Sequence, residues 1–260
     1  MSRLRWLRVI ARGSSFRFRN RDIDFDAVRS ALGVGYVITG AVEIFGSKLA
    51  VVVELIDADT HNVVWSERIP SQIDDVHEIR AQIVRDVIAA LELHIPFNEA
   101  EKARLSSPSA LDAWGEYHIG LQHMYRFNRT DNEIAAARFE RATAADPRFS
   151  RAFAARSFTS FQSAFLKYSP EPQKDAENAL RFAERSVEID PLDPFGNFNL
   201  ARTHWLEGDP DGGLALLARA IEVNPNFAQG HYASAWTDAI AGRGDSARTS
   251  IDVAIALSPL

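Results

Sequence analysis

Pro191, Pro225 and Pro259 stand 34 residues apart. No other feature constrains the fold as tightly, because a repeat of roughly 20–45 residues is a supersecondary unit that buries its apolar face only by stacking on its neighbours. From Ser109 onward the chain shows alanine-rich helical periodicity, short turns of Gly, Asp, Asn or Pro, and no strand pattern. These features predict an all-α array of helical hairpins over 109–260, suited to a binding surface rather than a catalytic pocket. Pro147 precedes Pro191 by 44 residues, which predicts an insertion in the earlier unit.

Aligned on the prolines, small residues fall into register. Ala179, Gly213 and Ala247 each lie twelve residues before a proline, and Ser186, Ala220 and Ala254 each lie five before one. Helices that cross closely need small side chains at such points. Between them Ala183, Leu217 and Ile251 fill a larger slot, and the first unit fits as Ala135, Phe139, Ala142 and Pro147. The preceding helices offer Gly120, Ala201 and Ala235, while Ser157 stands where Gly or Ala is expected. Together these residues approximate the W-x2-L-G-x2-Y…A-x3-F…A…P pattern, and the region resembles the tetratricopeptide repeat (TPR). Four units are expected at about 113–149, 150–191, 194–227 and 228–260, with extra residues around 128–131 and 169–173.

The TPR resemblance implies a concave groove lined by the first helix of each unit and occupied by a protein or peptide. The slots map to Trp114, Tyr117, Leu121, Met124 and Tyr125, then Phe158 and Phe161, then Phe195, Phe198, Arg202 and Trp205, then Tyr232 and Trp236. Aromatic residues and arginine dominate binding hot spots. The competing reading is that half of these rings pack between helices. The Lys and Asn set with which the family clamps a peptide carboxylate is missing from these slots, which argues against a charged chain terminus as ligand.

The amino-terminal half reads as β meander plus helices. Strands are predicted over 36–44 and 48–57, split by Phe45-Gly46-Ser47, and over 63–68 after a polar turn. The second strand is apolar on both faces at one end, as a covered central strand is. A helix over 24–32 ends at Gly33; a longer one over 73–94 stops at Pro96, and 97–108 reads as a linker. The blocks Leu4-Arg5-Trp6-Leu7-Arg8-Val9-Ile10-Ala11-Arg12, Leu32-Gly33-Val34-Gly35-Tyr36-Val37-Ile38-Thr39-Gly40-Ala41-Val42, Leu55-Ile56-Asp57-Ala58 and Val64-Trp65-Ser66-Glu67-Arg68 are similar to the bacterial TolB-like module. The expected fold is therefore α+β: a TolB-like α/β domain with an incomplete sheet over 1–96, then a TPR solenoid.

The TolB-like resemblance implies an upstream effector, either a CadC-type winged helix or a class III adenylate cyclase domain. Members of that family open on a buried "IAVLPF" strand and a Gly-Ile segment; this chain begins after both, and its last proline is one residue from its end. The expectation is an amino-terminally truncated sensory or interaction portion of a bacterial signalling or transcription regulator. The alternative is a fragment of an adenylate cyclase or DNA-binding regulator lacking its effector.

Charge and composition narrow the chemistry. The net charge is −6, yet residues 1–21 hold seven arginines and no acid, so the rest carries −13. An arginine-rich start is compatible with a transit peptide or nucleic-acid arm; the preferred reading is an edge strand in which Val9, Ile10, Phe16 and Phe18 interleave with arginines facing water. An acidic chain argues against direct nucleic-acid binding. No cysteine is present, which excludes disulfides and thiolate sites, and no apolar run spans a bilayer. Neither H-E-x-x-H nor a phosphate-cradling glycine loop occurs, and His118 and His123, five apart, point about 140° apart on a helix. Asp209–Gly213 lacks the later ligands of a calcium loop and reads as a turn. No catalytic residue, cofactor or metal is expected, and the setting is cytoplasmic.

Overall fold

The structure, a computed structural model, describes residues 4, 6–19, 22–72, 76–106 and 111–258. It divides into two compact units, Met1–Ile95 and Pro96–Leu260.

In the first unit, helix α1 (Arg12–Ser15) and a 3₁₀ turn (Phe16–Phe18) replace the edge strand expected there. Arg12 stacks 4.5 Å over Phe16, a pairing that needs the i, i+4 spacing of a helical turn, and Val9 and Phe16 remain exposed. Guanidinium–ring contacts within the stretch, Arg12 over Phe16 and Arg17 over Phe18, favour helical turns over an extended strand. Arg3, Arg5 and Arg21 lie outside the described residues. Helix α2 (Phe25–Leu32) runs between two caps: the Asp24 carboxylate accepts from Ala27 N–H at 2.9 Å, and Gly33 closes it at φ 62°.

Strands β1 (Tyr36–Phe45), β2 (Lys48–Asp57) and β3 (Val63–Gln72) form an antiparallel sheet in the order β1-β2-β3. Gly46 turns the first hairpin at φ 63°, and Phe45 pairs with Lys48 across it. The central place expected for β2 is observed. Its Val53 and Leu55 join Val87, Ile88, Leu91 and Ile95 in one core. β3 continues to Gln72 because β2 offers partners as far as Lys48, and Pro70 is tolerated on an edge strand.

Helix α3 (Val76–Leu105) does not stop at Pro96. Proline removes the N–H that would reach the Glu92 carbonyl. The following Asn98–Leu105 stretch is rich in strong helix formers, and Ile95, Ala100 and Ala103 are buried on both sides of the break. Packing overrides the local penalty, and most of the expected linker is helix; residues 107–110 lie outside the description.

The second unit is a run of helical pairs: α4 (Ala113–Met124) with α5 (Arg129–Ala145), α6 (Ser150–Phe165) with α7 (Pro172–Ile189), α8 (Pro194–Glu207) with α9 (Pro210–Val223), and α10 (Ala228–Ile240) with α11 (Gly244–Leu257). The phased prolines follow an Asx residue whose side chain accepts from the backbone N–H two residues on: Asp146 from Arg148, Asp190 from Leu192, Asn224 from Asn226. An Asx turn followed by proline ends a helix for two reasons at once, since the residue before proline is pushed out of the α region. Pro259 lies outside the described residues. Relative to the α8–α9 pair, the insertion before Pro191 is distributed: α6 has 16 residues against 14, α7 has 18 against 14, and the α6–α7 connection is longer.

The small-residue slots are crossing points. A methyl on Gly120 would lie 2.5 Å from the Phe139 ring, and one on Gly213 would lie 3.1 Å from the Ala201 carbonyl. Ser157, the misfit in the repeat pattern, is fully buried and donates its hydroxyl to the Ala179 carbonyl at 2.7 Å. Phe139, Phe158, Phe195, Phe198 and Leu217 form the core with the slot alanines.

Candidate functional site

The first helices of the pairs are brought together by their aromatic residues. Phe158 of α6 lies 6.4 Å from both Phe195 and Phe198 of α8, Phe161 meets Trp205 edge-on at 5.8 Å, and Trp205 lies 6.4 Å from Trp236 of α10. At the two ends of the array, Gln229 at the start of α10 donates to the Tyr125 hydroxyl at the end of α4, at 3.1 Å. Residues 104 apart in sequence are thus joined, which brings the end of α4 to the start of α10.

The sequence-selected residues divide by exposure. Tyr125, Tyr232 and Trp236 are exposed on the wall of first helices. Tyr117, Leu121, Met124, Phe158, Phe161, Phe195, Phe198 and Arg202 are buried, most of them within the core. Trp205 is half-buried and donates its indole N–H to Thr237 at 2.8 Å, tying α8 to α10. Trp114 braces α4 instead. Its indole N–H donates to Glu99 of α3 at 2.6 Å, and its ring stacks on Phe149 at 6.1 Å. Two exposed rings that the slot mapping missed complete the wall. Phe165 stacks on Phe161 at 5.3 Å, and Phe127 meets Phe158 at 6.3 Å. Phe165 follows Phe158 and Phe161 at helical spacing, a signal readable in sequence; Phe127 sits in the α4–α5 turn at φ 50°, outside any helical register. On the face of α6 between these rings, Gln162 is 2 % exposed, and neither amide atom has a hydrogen-bond partner among the described residues.

Arg202 lies at the centre. Its guanidinium carbon is 3.9 Å from the centroid of Phe161, 4.2 Å from Phe158, 5.3 Å from Phe198 and 5.9 Å from Trp205. Among the described residues its hydrogen bonding is confined to a long contact, from Nη1 to Asn199 Oδ1 at 3.5 Å. Among the same residues no carboxylate lies within ion-pair distance of it. Burial pulls its pKa down to about 9, with Tyr232 acting in the opposite sense, and the group stays cationic at neutral pH.

His118 and His123 diverge as their spacing requires. His118 is buried, with Nδ1 donating to the Trp114 carbonyl at 2.8 Å, while His123 pairs with Asp131. Asp209 caps α9 by accepting from Gly212 N–H at 3.0 Å, as a turn residue does. Among the described residues no group of three or more His, Cys, Asp or Glu could hold a metal ion, and no helix is long and apolar enough to cross a membrane.

Comparison with solved structures decides the fold. A thermophilic TPR protein from Thermus thermophilus superposes with a TM-score of 0.51 at 16 % identity, covering 70 % of this chain and 87 % of that one. The helical unit has a TPR-like fold. MamA of MSR-1 matches this chain more loosely, at a TM-score of 0.40 and 17 % identity over 69 % of this chain and 97 % of that one. In sequence, the protein named "Putative adenylate cyclase 3" of Rhizobium meliloti strain 1021 is 25 % identical over 201 residues, 77 % of this chain. The chain spans about a third of that relative's length, 34 %. No family model matches the chain.

Proposed function

We propose that this chain is a non-catalytic protein-interaction module that takes a peptide segment of a partner protein along the inner wall formed by α4, α6, α8 and α10. One observation carries the reading: exposed rings (Tyr125, Phe127, Phe165, Tyr232 and Trp236) crowd a single wall whose two ends meet at the Tyr125–Gln229 hydrogen bond. Exposed aromatic residues clustered this way mark interaction sites, because they offer large contact area at little entropic cost. The four units at 113–149, 150–191, 194–227 and 228–260 supply the wall. The 1–96 segment is read as a TolB-like α/β domain on the sequence blocks quoted above, and the whole as a cytoplasmic signalling part.

The test is a selection of displayed random peptide segments on the full chain, followed by Tyr232→Ala and Trp236→Ala. Both rings are exposed, so the fold should survive their loss. Retained circular dichroism with binding reduced about tenfold or more supports the groove. Undiminished binding by both folded variants contradicts it.

A second reading is favoured by the cyclase-named relative: that the module belongs to an adenylate cyclase polypeptide and relays partner binding to it. Sequencing the coding region adjoining this chain tests it. A cyclase domain in frame supports the assignment, and an unrelated domain there removes it.

A further inference from the structure

We propose that Arg202 anchors an acidic side chain, aspartate or glutamate, carried inside an apolar segment of a partner protein laid across α6, α8 and α10. The inference rests on the inner wall being a peptide site and names the chemistry of its ligand.

Arg202 is 7 % exposed. A cation taken out of water is costly and is ordinarily paired with an anion. Other arginines of the TPR-like unit obey that rule. Arg138 meets Glu116, Arg151 meets Asp193, Arg156 meets Glu140 and Arg243 meets Asp238, at 2.7–3.5 Å. Arg202 has rings instead. Attraction to ring faces offsets part of the desolvation, but it acts above and below the guanidinium plane and leaves the in-plane N–H groups unanswered. A guanidinium has five such donors. Here only the long contact to Asn199 uses one, and Nε and Nη2 have no acceptor among the described residues. A carboxylate is the group that fits this edge, taking two parallel N–H···O bonds beside rings that keep most of the side chain out of water.

The rings around the site determine which carboxylate. Phe127 and Phe165 stand one ring away on the α6 side, through Phe158 and Phe161; Trp236 stands one ring away on the α10 side, through Trp205. All three are exposed. Apolar surface therefore flanks the guanidinium on both sides. A segment running through the site covers both flanks with its own apolar residues, whereas a chain terminus ends at the carboxylate and covers one.

The experiment selects random segments, displayed between constant linkers, on the full chain. Binders should carry Asp or Glu between aromatic or aliphatic residues. A representative segment, synthesised with blocked termini, should lose about 10- to 100-fold in affinity when its acid becomes the matching amide, the range for a charge-assisted hydrogen-bonded pair. Arg202→Gln should bind acid and amide forms equally, and Arg202→Lys should keep part of the preference. The acid-to-amide exchange on the wild-type chain gives the answer even where an Arg202 variant does not fold. Enriched segments without an acid, or equal binding of the two forms by the wild-type chain, overturn the anchor and leave the peptide groove standing. Enrichment of nothing overturns both.

Discussion

Arg202 shows how a single residue can be misjudged from its slot. By position it belongs to the binding face, and by burial it belongs to the core; the rings that bury it are those the sequence assigned to the ligand. Ser157 is the opposite case. It breaks the repeat pattern, yet its hydroxyl satisfies a buried carbonyl at the helix crossing. Which polar side chain finds such a partner depends on helix placement that spacing alone does not carry. Three residue-scale outcomes follow from contacts. Gly120→Ala drives a methyl into the Phe139 ring and should cost about 1–3 kcal/mol in urea unfolding. Gln162→Met removes two orphaned buried polar atoms and should stabilise by about 1 kcal/mol on the same measurement. His118 has its pKa lowered to about 4, by burial above all, against roughly 6.5 when unfolded. Between those values the unfolded chain binds the extra proton, so stability should fall by roughly 3 kcal/mol as pH drops through this window. His118→Gln should flatten that slope in denaturation followed from pH 7 to 4, although other buried groups set the baseline.

At the scale of elements, the helical pairs and the meander were legible because each has a local cause: an Asx-Pro turn, a Gly46 hairpin, caps at Asp24 and Gly33. Two elements were not. The arginine-rich start has alternating apolar residues, but its arginines stack on rings within the same stretch, and it curls into helical turns. Pro96 is a strong local stop signal, overridden because α3 buries residues before and after it. Pro96→Ala restores a backbone hydrogen bond to Glu92 and should stabilise α3, by up to about 3 kcal/mol; hydrogen exchange should slow at the amides around position 96. β1 carries a different consequence. Val42, Ile44 and Phe45 are each more than 60 % exposed on an edge strand. Such an edge invites pairing with a second chain. Ile44→Lys should reduce self-association in sedimentation without measurable loss of stability.

For the whole molecule, the periodic prolines predicted stacked hairpins and the TPR-like fold supplies them. What they could not convey is how far the stack curls, since curvature accumulates from small rotations between units. The Tyr125–Gln229 contact is the product of that curl, and it turns separate aromatic residues into one wall. The direct test of that wall is hydrogen exchange on the full chain, with and without a segment selected from the displayed library. The account predicts slowed exchange concentrated in α4, α6, α8 and α10, with α5, α7, α9 and α11 changed little. Protection centred on the second helices, or confined to residues before Pro96, would contradict it.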